Sequence, residues 1–387
     1  MTRGPIMENQ TRHARAGSFV GGLVISLAVF VAGCGSTTEP QKPAELGPNA
    51  ALLGVRLAWS AKLGEVKFPL ALKANGTNVT LGSSEGVVAT LDARTGADVW
   101  RTALGAPLAA GAGSDGRYSA VVTQANELVA LEAGREIWRQ KLPALSFTAP
   151  LVAGERVFVL GADRSVAAYD AASGRRLWTQ ARPGEALVLR QAGVLLAVGD
   201  TLVAGLSGRL VGMNPQNGSS RWEVPIAVPR GTNDVERLVD IVSQVSRVGD
   251  SICARAYQAM VGCVNADRGT LVWNKPANGA QGLHGDDQFV YGTESDGKVI
   301  AWRRADGERA WVSERLKFRG LTAPLVVGRS VAVGDATGLV HLLSRTDGSP
   351  LNRLTTDGSE IAAAPVLVGD TLVVVTRNGG VFGFRPE

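Results

Sequence analysis

Histidine and cysteine are scarce, since the 387 residues include only three of each. His284 and His341 lie far apart, and no two cysteines are adjacent. The sequence therefore shows no metal-ligand spacing and no acid–base pair that can be named. Charged residues make up 19% of the chain. Lys and Arg are scattered without a basic run, so nothing indicates nucleic-acid binding.

The chain also lacks an apolar run long enough to span a bilayer, which takes about 20 residues. The run from Phe19 to Ala32 is shorter and follows Arg12 and Arg15. A short apolar core behind positive charges is typical of a signal peptide. We therefore predict a targeting segment over residues 1–33.

The residues after this core, Val31-Ala32-Gly33-Cys34, resemble the bacterial lipobox. The resemblance implies cleavage before Cys34 and acylation of that cysteine. It also implies outer-membrane localisation, because Gly35 follows the cysteine and inner-membrane signals usually place Asp there. The alternative is an ordinary secretory leader with an incidental cysteine. Residues 34–50 are polar and contain several prolines, which predicts a flexible tether.

Glycine, by contrast, is abundant, with 48 residues, and it recurs inside one motif. The motif is an apolar strand, an acidic or polar residue, a glycine turn and then Trp. Copies end at Trp100, Trp138, Trp178, Trp222, Trp273 and Trp311, and a lone strand ends at Trp59. A seventh copy has Asn352 in place of Trp, and an eighth breaks off at the chain end. Asp and Gly suit a hairpin between the third and fourth strands, and the tryptophans are expected to be core.

The spacing of the copies predicts a propeller. Trp59 and Trp100 are 41 residues apart, and Trp100 and Trp138 are 38 apart. A period near 40 residues matches one four-stranded blade per copy. We predict an all-β, eight-bladed β-propeller over residues 51–387, its last blade closed by the N-terminal strand. Trp59 is then expected beside residues 380–385.

The repeat resembles the PQQ-type propeller repeat (AxDxxxGxxxW) over roughly residues 52–387, a family named after quinoprotein dehydrogenases. One hypothesis is thus a quinone-dependent enzyme or a periplasmic ligand-binding propeller. The resemblance implies that such enzymes add adjacent cysteines and several oxygen ligands for Ca²⁺ beside a catalytic Asp. Acidic residues here, such as Asp92 and Asp347, are already explained by turns. We therefore expect no enzymatic activity, no cofactor and no metal.

A lipid-anchored propeller of this type is similar to the BamB family of β-barrel assembly lipoproteins. Leu187-Val188-Leu189-Arg190 resembles the family's LxLR loop. The stretch ERLVDIV, residues 236–242, resembles its DRLxDxD loop, with Glu236 and Val242 in place of two Asp residues. The distance from Trp222 to Trp273 is 51 residues, about ten more than an ordinary blade, which indicates an inserted loop there.

The resemblance implies a non-enzymatic scaffold of the outer-membrane protein assembly (Bam) complex, lipid-anchored and facing the periplasm, that assists assembly and insertion of β-barrel proteins. It implies that the POTRA domains of BamA bind to Leu187, Leu189, Arg190, Arg237 and Asp240. Other Bam subunits and unfolded outer-membrane proteins are further candidate partners. Two alternatives stay open. The partner could be a different periplasmic protein, or the two leucines could be strand core while Arg237 pairs with Asp240 on a solvated face.

The remaining cysteines, Cys253 and Cys263, flank an apparent hairpin centred near Gln258. Symmetric pairing about that turn would place the two side chains opposite each other. A disulfide is then expected in an oxidising periplasm. The alternative is two buried free thiols.

Overall fold

The computed structural model describes residues 41–182, 187–230, 232–233 and 237–387. The predicted signal peptide, Cys34 and Glu236 lie outside the described residues. Within the described part of the chain, the regular elements are thirty-two β-strands in eight four-stranded antiparallel sheets. No helix there has the length and apolar character needed to cross a bilayer. The prediction of an all-β, eight-bladed propeller is confirmed.

In every blade but blade 5 the first strand is shorter than the fourth, and the first strand of the chain, β1 (Val55–Lys62), belongs to the last blade. Blade 1 holds β2 (Lys73–Asn75), β3 (Asn78–Gly82), β4 (Val87–Asp92) and β5 (Asp98–Ala103). Blade 2 holds β6 (Gly113–Ser114), β7 (Tyr118–Val122), β8 (Glu127–Glu132) and β9 (Arg135–Lys141). Blade 3 holds β10 (Leu151–Ala153), β11 (Arg156–Leu160), β12 (Val166–Asp170) and β13 (Arg176–Gln180). Blade 4 holds β14 (Leu195–Val198), β15 (Thr201–Leu206), β16 (Arg209–Met213) and β17 (Ser220–Pro225).

The second half continues the pattern. Blade 5 holds β18 (Ile241–Val248), β19 (Ser251–Ala256), β20 (Met260–Asn265) and β21 (Thr270–Pro276). Blade 6 holds β22 (Leu283–Gly285), β23 (Phe289–Thr293), β24 (Val299–Arg303) and β25 (Arg309–Ser313). Blade 7 holds β26 (Leu325–Val327), β27 (Ser330–Gly334), β28 (Leu339–Ser344) and β29 (Pro350–Thr355). Blade 8 holds β30 (Val366–Val368), β31 (Thr371–Val375), β32 (Gly380–Pro386) and β1.

Antiparallel pairing divides the connections between two faces. Turns between second and third strands, and connections from one blade to the next, lie on what we call the upper face. Turns between first and second strands, and between third and fourth strands, lie on the lower face. In blade 5, for example, Gln258 is on the upper face and Asp267 is on the lower face.

The repeat tryptophans join neighbouring blades. The Trp59 ring covers Gly96 of the next blade, where φ is +74° and an added Cβ would lie 2.4 Å from the ring. Only glycine suits both the positive φ and the close approach. The Trp59 indole N–H also donates to the Ala93 carbonyl, at 2.8 Å. The same ring-on-glycine contact joins Trp100 to Gly134, Trp138 to Gly174, Trp178 to Gly218, Trp222 to Gly269, Trp273 to Gly307 and Trp311 to Gly348.

The ring closes as predicted. Strand β1 pairs with β32 from Val55 opposite Pro386 to Lys62 opposite Gly380, and Trp59 stands opposite Gly383. The N-terminal strand therefore supplies the fourth strand of blade 8, which the three C-terminal strands lack.

Two further sequence expectations bear on this framework. Cys253 in β19 faces Cys263 in β20, and a disulfide joins them in the buried core of blade 5. Residues 44–50, which we expected to belong to a flexible tether, are instead hydrogen-bonded to blade 7. The reason is that backbone carbonyls of this polar segment accept hydrogen bonds from Arg319 and Arg353.

Candidate partner-binding surface

Both stretches singled out in the sequence lie on the upper face. The LxLR loop, residues 187–190, lies between β13 and β14, and residues 237–240 lie between β17 and β18. The second connection runs from β17, which ends at Pro225, to β18, which begins at Ile241, and its length accounts for the long spacing between the tryptophans of blades 4 and 5. The two segments come from successive blade-to-blade connections, so the fold brings them to one side of the disc.

Asp240 joins these two segments. Its Oδ2 accepts a hydrogen bond from the backbone N–H of Leu189, at 3.0 Å. Its own carbonyl accepts from the N–H of Tyr257, at 2.9 Å, which ties it to the upper turn of blade 5. The Asp240 carboxylate therefore holds the LxLR loop against blade 5, a role the sequence did not predict.

Arg164, in the upper turn of blade 3, supports the same loop from the other side. Its guanidinium donates to the Leu187 carbonyl, at 3.1 Å, and lies 3.9 Å from the Asp240 carboxylate. The Arg164 side chain is 9% exposed, so these contacts form where water is largely excluded. Charge-assisted hydrogen bonds are stronger than neutral ones. No sequence motif marks Arg164, because its role depends on contacts with Leu187 and Asp240, which lie in later connections of the chain.

The LxLR loop presents a mixed apolar and cationic surface. Leu187 is 39% exposed and lies outside any strand, so it is not strand core. Arg190 is exposed, and its guanidinium lies 5.4 Å from the ring centre of Phe147, in the connection that enters blade 3. Leu145 of that connection is 50% exposed. We call Leu145, Phe147, Leu187 and Arg190 the docking patch.

The other predicted residues lie beneath or beside the docking patch. Leu189 is half-buried and lines a small cavity of about 60 Å³ that Phe147 and Asp240 also border. Arg237 is half-buried, and its N–H donates to the Asn233 carbonyl at 3.3 Å. Val242, which replaces the last Asp of the family stretch, is buried at the start of blade 5 and pairs with Arg255. A carboxylate there would be core, so its loss leaves the surface intact.

Elsewhere in the described residues, both histidines have structural partners. His341 Nε2 lies 2.9 Å from the Asp335 carboxylate, and His284 Nδ1 accepts from the Val326 N–H at 3.2 Å. Burial, with Arg304 nearby, lowers the pKa of His284, which keeps this acceptor neutral. Within the described ranges, no three His, Cys, Asp or Glu side chains are grouped to hold a metal ion.

Comparison with known proteins identifies the family. The family model described as outer membrane protein assembly factor BamB matches residues 84–313. A protein of that name from Burkholderia pseudomallei is 38% identical over 94% of this chain and 96% of its own length. The relative from Bordetella pertussis is 35% identical over 97% and 99%. The chain belongs to the BamB family.

Solved structures agree on the fold. BamB from Moraxella catarrhalis superposes with a TM-score of 0.77 and 23% identity, over 86% of this chain and 99% of that one. The quinohemoprotein alcohol dehydrogenase of Comamonas testosteroni reaches a TM-score of 0.66 at 16% identity, over 88% and 78%. Enzymes and BamB proteins therefore share this propeller, and the fold alone does not separate them. The sequence relatives do separate them, because proteins named BamB align with this chain over nearly their whole length.

Proposed function

We propose that this chain is a non-enzymatic scaffold of the outer-membrane protein assembly complex, and that it binds the POTRA domains of BamA through the docking patch. The observation that carries the proposal is the Asp240–Leu189 hydrogen bond, which fixes the LxLR loop with Leu187 and Arg190 exposed. A loop held rigid before binding loses little conformational entropy on association. BamB-family membership supports the same role.

The chemistry of the docking patch suits a protein partner. Leu145 and Leu187 supply exposed apolar area, and Arg190 supplies a planar cation that can bind a carboxylate in bidentate fashion. The Arg190 guanidinium lies over the Phe147 ring, 5.4 Å from its centre, in a cation–π contact. The planar guanidinium loses little entropy per hydrogen bond formed, and arginine is enriched at interface hot spots.

A quinoprotein-like enzyme is the alternative class. The family assignment favours the scaffold, because full-length relatives are named as assembly factors. Binding of quinone and Ca²⁺ to the purified protein, with turnover of an alcohol substrate, would contradict the scaffold proposal.

Co-purification tests the partner. The native complex is captured from detergent-solubilised membranes through this chain, and bound BamA is quantified. Leu189→Glu and Arg190→Glu should each abolish recovery of BamA while the propeller stays folded. Arg268→Glu is the matched control, since Arg268 is exposed on the lower face of blade 5. Recovery of BamA at wild-type levels from both the Leu189→Glu and the Arg190→Glu variants would mean that the partner docks elsewhere.

The proposal includes a lipid anchor at Cys34, on the periplasmic side of the outer membrane. Two or more acyl chains give stable anchoring, since each buried CH₂ contributes about 0.8 kcal/mol. Cys34→Ser should abolish metabolic labelling with palmitate and release the protein from membranes. Label retained on the Cys34→Ser chain would contradict the assignment.

A further inference from the structure

The seventh copy of the repeat lacks its tryptophan because the next blade lacks the turn that would receive it. In blade 8 the third strand ends at the C-terminus and the fourth strand is β1, so no continuous turn joins them. Residues 52–54 occupy that position, and the Glu387 N–H donates to the Gly54 carbonyl at 3.1 Å. The Asn352 side-chain amide donates to the Leu53 carbonyl at 2.6 Å. This bond takes the place of the tryptophan indole bond in other blades.

The residues before this point continue along blade 7. The Leu52 N–H donates to the Leu351 carbonyl at 2.7 Å. The Asn49 amide donates to Asn352 Oδ1 at 2.9 Å, and Arg353 donates to the Gly47 carbonyl at 3.0 Å. Hydrogen bonds that the segment donates to blade 7, and one that it accepts from blade 7, therefore fix residues 47–52, although they have no regular secondary structure.

The segment is fixed at its other end too. The Ala44 N–H donates to the Lys317 carbonyl at 2.9 Å, and Arg319 donates to the Ala44 carbonyl at 3.0 Å. Arg319 is itself held by the Asp335 carboxylate at 2.8 Å. Burial alone would raise the pKa of Asp335, but hydrogen bonds from His341, the Leu339 N–H and Arg319 hold it well below its ordinary value. The carboxylate therefore stays charged and keeps Arg319 in place.

The two ends of the segment lie on opposite faces of the propeller. Residues 52–54 stand at the lower face, beside the end of β32 and the start of β29. Lys317 and Arg319, which hold Ala44, belong to the connection between blades 6 and 7 and so lie on the upper face. Between these points Leu46 packs against the core shared by blades 6 and 7. Residues 44–54 thus cross the side of blade 7 from the lower face to the upper face.

We propose that residues 44–54 act as a strap that re-routes the membrane tether, so that the tether meets the propeller on the upper face, the face that carries the docking patch. The inference rests on the proposed function for the anchor at Cys34 and for the docking patch. Without the strap, the chain would leave the propeller at Gly54 on the lower face. With it, only the ten residue-to-residue steps from Cys34 to Ala44 link lipid and propeller. They span at most about 35 Å, which limits how far the upper face stands from the bilayer.

Distances between spin labels test the strap in the purified, full-length lipidated chain, without any partner. One label is placed at Lys42→Cys. The second is placed either at Arg315→Cys, exposed on the upper face, or at Thr346→Cys, exposed on the lower face. We expect narrow distributions for both pairs, with the Lys42–Arg315 distance clearly the shorter. Equal or broad distributions for both pairs would overturn the proposal.

A released variant sharpens the test. Combining Asn49→Ala and Arg353→Ala with Arg319→Ala removes the side-chain bonds at the middle of the strap and the arginine bond at Ala44, and should broaden both distributions. Arg309→Ala is the matched control, because Arg309 is exposed on the neighbouring outer strand. Distributions that stay narrow in the released variant would contradict the assigned contacts. Co-purification of BamA is measured separately, so a failure of the strap and a failure of the docking patch give different results.

Discussion

The repeat departs from its pattern in two regions, and the two departures are handled in opposite ways. Between blades 4 and 5 the chain gains residues, and the preceding connection leaves Leu187 and Arg190 exposed. Between blades 7 and 8 the repeat loses a tryptophan and a turn, and residues 44–54 fill the space. Among the described residues, the first region leaves Leu187 and Arg190 exposed, while the second is covered by residues 44–54.

The difference teaches how to separate architecture from recognition in a repeat protein. Asn352 departs from the motif, yet its amide repeats the hydrogen bond that a tryptophan makes elsewhere. Its substitution is explained within the fold. The exposure of Leu187 has no such explanation within the fold, although Asp240 and Arg164 hold its loop in place by hydrogen bonds. A departure that the chain supports but does not cover is the better candidate for a partner site.

The largest effect should follow from removing the closure. Deletion of residues 50–60 takes away Trp59 and most of β1, which leaves β32 as an unpaired edge. We expect aggregation on size-exclusion chromatography and loss of cooperative unfolding. Deletion of residues 35–40 is the control and should change neither. A monomeric 50–60 deletion with unchanged thermal stability would argue that the last blade closes in another way.

The next prediction compares blade 6, which keeps its repeat tryptophan, with blade 7, in which Asn352 replaces the tryptophan. Trp311→Ala removes a ring packed on Gly348 and should lower the free energy of unfolding by about 3 kcal/mol. Asn352→Ala removes the side-chain hydrogen bonds to the Leu53 carbonyl and from the Asn49 amide, and should cost about 1–2 kcal/mol. Denaturant titration measures both. Equal costs would mean that Asn352 is more than a substitute for the missing ring.

A comparable effect is expected from the disulfide beneath the longer connection. Replacing both Cys253 and Cys263 by Ala should lower the free energy of unfolding by about 2–3 kcal/mol, from the chain-entropy model for a short loop. The binding of BamA should be unchanged, because the pair lies in the core of blade 5. Two titratable thiols in the denatured, unreduced protein would rule the bond out.

A smaller effect is expected where Asp240 positions the LxLR loop. Asp240→Asn keeps the shape but weakens the bond to the Leu189 N–H and the attraction to Arg164. The affinity for POTRA domains should fall about fivefold to tenfold, corresponding to about 1 kcal/mol. Hydrogen exchange at Leu189 should accelerate in the same variant. Unchanged exchange at Leu189 would contradict the positioning role.

The sequence predicts the blades well and the supporting contacts poorly. The period of the tryptophans predicts eight blades, and hairpin symmetry about Gln258 predicts the Cys253–Cys263 pair, because both rest on local regularities. The strap is missed because its bonds, such as Asn49 to Asn352, join residues 303 positions apart. Arg164 and Phe147 are also missed, because neither residue lies in a sequence motif. Trp302, off phase in the repeat, proves to be fully buried core.

The central claim is that the docking patch binds POTRA domains, and calorimetric titration of purified POTRA domains into the purified propeller tests it most directly. Arg190→Glu should weaken binding by about 30-fold or more, corresponding to about 2 kcal/mol at a central contact. The Arg268→Glu variant, altered on the lower face of blade 5, should bind like the unaltered protein. Unaltered affinity for Arg190→Glu in a folded propeller would contradict the account.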